Sequence, residues 1–121
     1  MYDTQYCKVE YLKDKNAIFC TWKQFCKEDD YRNPFRYALE EIHKHNITTW
    51  IVDTNTGFEN EEADTQWLLN EFMPKMIQSS IDKIIFIIKS DSPLMGEIMG
   101  QVKYFEEYLE VQLVDNLEDI L

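Results

Sequence analysis

Lys83-Ile84-Ile85-Phe86-Ile87-Ile88-Lys89 is the stretch on which the reading of the fold turns. Five apolar residues between two lysines fall far short of the ~20 that a membrane-spanning helix needs. No polar residue alternates with them, so neither side of the segment is left for water. That is the pattern of a strand covered on both faces.

C-terminal to this strand, Ser92-Pro93 sets a cap residue before a proline and predicts a helix to about Glu107. Leu109 to Val114 reads as a further strand. Asn116 to Leu121 reads as a short closing helix, with Asn116 and Asp119 in a capping-box-like spacing. On the N-terminal side, Glu61, Glu62 and Asp64 open a helix, where acidic residues suit the positive end of the dipole. Its apolar side is Trp67, Leu68, Phe72, Met73, Met76 and Ile77. Pro74 lacks the N–H that would bond back to Asn70, so a kink or break is expected there.

Ile47 to Val52 is a strand rich in β-branched residues. Before it, Asn33-Pro34 repeats the cap-then-proline start, Phe35, Ala38, Leu39 and Ile42 form a helical stripe, and Asn46 is the expected stop. Residues 5–12 and 17–23 read as a hairpin. A two-residue turn at 14–15 and a four-residue loop at 13–16 both pair Leu12 with Ala17. That register puts Cys7, Val9, Tyr11, Ile18, Cys20 and Trp22 on one face, the face for a core. The order β β α β α β α β α predicts an α/β fold: a mixed, mostly parallel sheet with an N-terminal antiparallel hairpin.

The chain has 121 residues, which suits one domain spanning 1–121. Residues 1–53 hold eight basic and nine acidic side chains, and residues 54–121 hold four and fourteen, so the net charge of −11 falls almost wholly on the second part. This balance argues against nucleic acid as a partner and against an anionic membrane surface. It favours a partner with a basic surface. The start, MYDTQYCK, lacks the basic-then-apolar pattern of a signal peptide, and Cys7, Cys20 and Cys26 have no C-x-x-C spacing. Free thiols and a cytoplasmic setting are expected, with no membrane insertion.

Chemistry-bearing motifs are sparse. Asp53-x-Asn55-x-Gly57-x-Glu59 superficially matches a calcium loop, but its fifth and sixth positions are Gly57 and Phe58, and it follows a strand. His43 and His45 are two apart on a helix and point away from each other, so they cannot share one ion. No nucleophile elbow, phosphate-cradling glycine loop or zinc-protease motif is present. No catalytic residue, cofactor or metal is therefore assigned.

Two places remain for binding. In open α/β sheets, ligands gather outside the carboxyl ends of the strands. Here that rim is Asp53, Thr54, Asn55, Thr56 and Gly57 after one strand, and Ser90, Asp91 and Ser92 after the next. Glu59, Glu61, Glu62 and Asp64 fall near it. The second place is a candidate apolar groove formed by Met73, Met76, Met95, Gly96, Met99 and Gly100. Gly96 and Gly100 are read first as a close helix-to-sheet approach. Read the other way, they form a flat groove whose adaptable methionines take a partner helix or a small apolar ligand.

The element order, with Trp50-Ile51-Val52-Asp53-Thr54 closing the third strand, resembles the STAS superfamily, the fold of the anti-sigma-factor antagonists. Asp64-x-x-Trp67 with Pro74 seven residues on, the strand Asp82 to Ile88, and Val111 to Asn116 carry the same resemblance. It extends over roughly residues 47–121 and is nearest to small bacterial STAS-like proteins, named by analogy with that fold and with CRAL-TRIO lipid carriers. The resemblance implies a non-enzymatic interaction or regulatory module that binds a protein partner or small ligand at the rim. The alternative it implies is a carrier of an apolar small molecule or lipid. In phosphoregulated STAS domains the third strand ends in Asp-x-Ser. Here the match is Asp53-Thr54-Asn55, and Asn55 cannot accept a phosphate, which leaves Thr54 or Thr56 as substitute acceptors.

Overall fold

In the computed structural model, which describes residues 1–119, six strands form one mixed sheet in sequential order. They are β1 (Tyr2–Asp3), β2 (Cys7–Leu12), β3 (Ala17–Trp22), β4 (Thr49–Asp53), β5 (Lys83–Ile87) and β6 (Glu110–Val114). The β1–β2 and β2–β3 pairs are antiparallel, and β3 to β6 run parallel. The hairpin register is the one that the short connection sets: Cys7 faces Trp22, Val9 faces Cys20 and Leu12 faces Ala17. Its loop spans four residues. Lys13–Lys15 form a 3-10 turn, and Asn16 closes it in the left-handed region at φ 49°.

The helices are α1 (Asp29–His45), α2 (Glu62–Trp67), α3 (Met73–Ile77) and α4 (Met95–Phe105). Between α2 and α3 lies one π-type turn, Leu68–Phe72. All helices pack on one face of the sheet. The large core there joins Phe35, Ala38 and Ile42 of α1, Met73 and Met76 of α3 and Ile98, Val102 and Phe105 of α4 to the alternate strand residues Ile18, Trp50, Ile84 and Phe86. The other face carries a smaller cluster of strand residues alone, Ala17, Phe19, Ile51, Ile85 and Ile87. The 84–88 run is thus buried on both sides, Ile84, Phe86 and Ile88 in one cluster and Ile85 and Ile87 in the other.

Four local expectations are corrected. Helix α1 begins at Asp29, not at Asn33. Glu28 starts it with its carbonyl accepting from the Tyr31 and Arg32 N–H groups, while its own N–H donates to the distant Asp64 carboxylate. Asn33 instead accepts from Arg36, and Pro34 sits buried inside the helix. The stop at Asn46 holds, in the left-handed region at φ 51°.

Pro74 does not end its helix. Irregular bonding falls before it, where the turn widens and the Met73 N–H donates to Leu68 five residues back. A wider turn relieves the clash between a proline ring and the preceding carbonyls. Helix α4 starts at Met95, because the Ser92 hydroxyl accepts from the Leu94 N–H in a separate turn. In the expected closing helix, Leu117–Asp119 form a 3-10 turn, and residues 120–121 lie outside the described residues.

Candidate functional site at the strand ends

The carboxyl ends of β3, β4 and β5 lie side by side, and the loop after β4 is tied across them. The Thr54 N–H and hydroxyl both donate to the Ile87 carbonyl, at 3.0 and 2.8 Å. The Thr56 hydroxyl donates to the Trp22 carbonyl. The Asn55 N–H donates to the Asp53 carboxylate at 2.9 Å, and the Gly57 N–H to the Thr54 carbonyl at 2.9 Å. Thr54 is only 6% exposed. Two of the rim hydroxyls therefore hold the loop to the sheet, and a phosphate on Thr54 would require that loop to open. Asp53, Asn55 and Thr56 remain accessible, as do Ser90 and Asp91 beside the exposed Lys89. Gly57 answers to close approach: a Cβ there would lie 3.0 Å from the Thr54 oxygen and 3.1 Å from Leu94 Cδ1.

Asp64, expected near the rim among solvated acids, is 1% exposed and belongs to the interior. Glu59, Glu61 and Glu62 are exposed as expected.

Beneath the rim is a cavity of about 60 Å³. Its floor is Trp50, Val52, Ile84 and Phe86 of the sheet, with Phe35 of α1, Phe72 of the π turn and Met73 of α3 closing the inner wall. Trp22, Tyr31 and Phe58 complete the aromatic lining. Trp22 stacks on Tyr31 at 5.1 Å and meets Phe58 edge-on at 5.7 Å. Phe25, 48% exposed, packs edge-on against Phe58 at 5.4 Å and extends this aromatic surface outward.

The polar lining is Thr54, Asn60, Glu97 and Gln101 together with the Tyr31 hydroxyl. Asn60 Nδ2 donates to that hydroxyl at 2.8 Å. Burial, then the nearby Glu97 charge, pushes the Tyr31 phenol upward. Burial also raises the Glu97 carboxyl, with Glu59 adding to the effect and the Asn60 backbone opposing it.

The six groove residues do not converge. Met73 lines the cavity, Met76 lies in the core, and Met95 packs partly buried against it. Met99 is 38% exposed, and a Cβ on Gly96 or Gly100 would meet nothing within 4 Å. The close helix-to-sheet approach is therefore corrected: both glycines lie on the outer face of α4. Of the cavity residues, Phe58 and Asn60 lie in the loop marked by the sequence, while Tyr31, Glu97 and Gln101 carried no signal. Tyr31 lies on α1, and Glu97 and Gln101 lie one turn apart on α4, so only packing brings the two helices to one cavity.

The three cysteines are free and buried. Burial pushes the Cys20 thiol up to about 12 and the Cys26 thiol up to about 11, and it raises Cys7 further. Those thiols are unreactive nucleophiles at neutral pH. His45 stacks on Tyr11 at 4.3 Å and lies 3.1 Å from Glu41, away from the exposed His43. Among the described residues, no group of three His, Cys, Asp or Glu side chains is placed to hold a metal ion, and no helix is long and apolar enough to cross a membrane.

Fold and site together define an α/β domain with a strand-end rim over a small aromatic cavity. Comparison of this chain with family models, with curated proteins and with solved structures finds no match.

Proposed function

We propose that this chain is a non-enzymatic STAS-like interaction or regulatory module that engages a protein partner or small ligand at the strand-end rim. The observation that carries this reading is the rim's opening onto a cavity of only about 60 Å³. Small-molecule and cofactor sites measure roughly 300–1,000 Å³, so the volume of the cavity under the rim supports a recognition surface there over a lipid-carrying site. The hydroxyls of Thr54 and Thr56 are committed to backbone carbonyls, which supports a docking role over a catalytic one. Exposed Glu59, Glu61, Glu62 and Asp91 favour a partner that presents a basic surface. Three buried, unpaired thiols suit a reducing compartment, in keeping with a cytoplasmic setting.

The test is site-specific photocrosslinking in cells of origin, with the photoreactive residue at Asn55 on the rim or at His43 on the far end of α1. A defined partner captured from position 55 and not from 43 is the expected result. Equal capture from both positions overturns the rim as the binding surface. A stoichiometric lipid in an organic extract of the purified chain replaces the module with the carrier.

A further inference from the structure

The cavity is chemically one-sided. Its walls are aromatic rings and aliphatic chains, and no Lys, Arg or His lines it. Among the described residues, the one carboxylate on its wall is Glu97, part-buried on the first turn of α4. Among the described residues, no cationic side chain comes within ion-pair distance of it. The described residues thus place a carboxylate beside aromatic rings and bring no cation within ion-pair distance of it.

We propose that this pocket takes a small apolar group bearing an ammonium, with the ammonium at Glu97 and the apolar end in the cavity over Trp50, Val52, Ile84 and Phe86. Three observations select this ligand chemistry. First, aromatic faces carry negative potential and attract an ammonium held within about 6 Å, so ring walls and carboxylate favour the same charge. Second, Glu59 adds like charge beside Glu97, which raises the cost of leaving both carboxylates unpaired and repels an anionic ligand. Third, a water needs ~10–15 Å³ of such space, so a 60 Å³ cavity admits about four to six non-hydrogen atoms. That is the apolar end of a short branched amine. Gln101 and Asn60 stand beside Glu97 as further acceptors for ammonium protons. The same chemistry occurs in a free amine and in the N-terminal residue of a peptide.

The assignment rests on the rim being a binding surface. The probes are isoamylamine, isoamyl alcohol and isovalerate, which share one branched carbon skeleton and differ in charge. Titration is followed by the indole N–H resonances of Trp22 and Trp50, with Trp67, which does not line the pocket, as internal control. Isoamylamine is expected to shift Trp22 and Trp50 at millimolar concentration, with the alcohol and isovalerate at least about tenfold weaker. Glu97→Gln is expected to abolish the preference for amine over alcohol. Leu-Gly-Gly amide carries the same amine on a peptide, so tighter binding than isoamylamine assigns the source to a protein N-terminus and weaker binding to a free amine.

Equal binding of amine and alcohol, tighter binding of isovalerate, or no shift of either indole by any probe overturns the proposal. If crosslinking from position 55 persists in that case, the amine is rejected and the rim stands. If that crosslinking also fails, the rim itself falls.

Discussion

Asp64 Oδ1 lies 3.0 Å from Arg32 Nε, and the same carboxylate accepts the Glu28 N–H at 3.0 and 3.2 Å. One buried side chain thus starts α1 and joins it to α2. Arg32 also lies over the Trp67 ring, with Cζ 5.7 Å from its centroid, and Arg36 lies at 5.5 Å. The Asp64-x-x-Trp67 spacing therefore presents both residues to Arg32, one by charge and one by its ring face.

Removing Arg32 strands a carboxylate that water cannot reach. Arg32→Met is expected to lower stability by about 3–5 kcal/mol, read from the urea midpoint. The double variant Arg32→Met/Asp64→Leu should recover part of that loss, since no charge remains buried. Equal stability of Arg32→Met and wild type would show that the pair carries nothing.

Glycine substitutions should split by location. Gly96→Ala and Gly100→Ala each add a methyl group in open space on an α-helix and should stabilise by about 0.5–1 kcal/mol. Gly57→Ala places a Cβ against the Thr54 carbonyl and should destabilise. Thermal melts of the three single variants test the sign of each.

Glu28 holds φ 57° and ψ −131°, a region that a side chain rarely occupies. Glu28→Gly should raise stability by about 1 kcal/mol, the strain relieved outweighing the added freedom of the unfolded chain. A loss of stability in equilibrium unfolding would mean that the Glu28 side chain contributes something its hydrogen bonds do not reveal.

Alkaline pH should unfold the protein through its thiols. In the unfolded chain they ionise near 9, whereas in the fold Cys26 is held up to about 11 and Cys20 up to about 12. Burial thus favours the protonated form of the fold. The contribution is fully present below pH 9 and is lost as pH rises through 11 and 12. Urea midpoints should fall across that window in wild type and fall less in a variant with all three cysteines changed to alanine. At pH 8, a thiol reagent should label none of the three until denaturant is added.

The strands and their register were legible in the residues themselves. The short connection from Lys13 to Asn16 pairs Leu12 with Ala17, and the alternation of Cys7, Val9 and Tyr11 against Ile18, Cys20 and Trp22 agrees with it, because a slip by one residue would turn every apolar side chain outward. The unbroken run from Ile84 to Ile88 likewise announced burial on both faces, since each side of a strand is read from alternate residues. These signals are local and periodic.

What the tertiary structure alone decided depends on residues far apart in the chain. The start of α1 moved to Asp29 because a carboxylate 36 positions after Glu28 caps it, against the local preference of Asn33-Pro34. Pro74 was accommodated by widening the turn before it, which kept α3 packed with Met73 and Met76 in the core. Gly96 and Gly100 face outward because the rotation of α4 follows its buried residues Ile98, Val102 and Phe105, and a glycine has no side chain to declare its face. The cavity joins Trp22, Tyr31, Phe58 and Glu97 only after β3, α1, the rim loop and α4 have packed together. Periodicity tells each element which side to bury, but where those buried sides meet imperfectly, and leave room for a ligand, is a property of the packed whole.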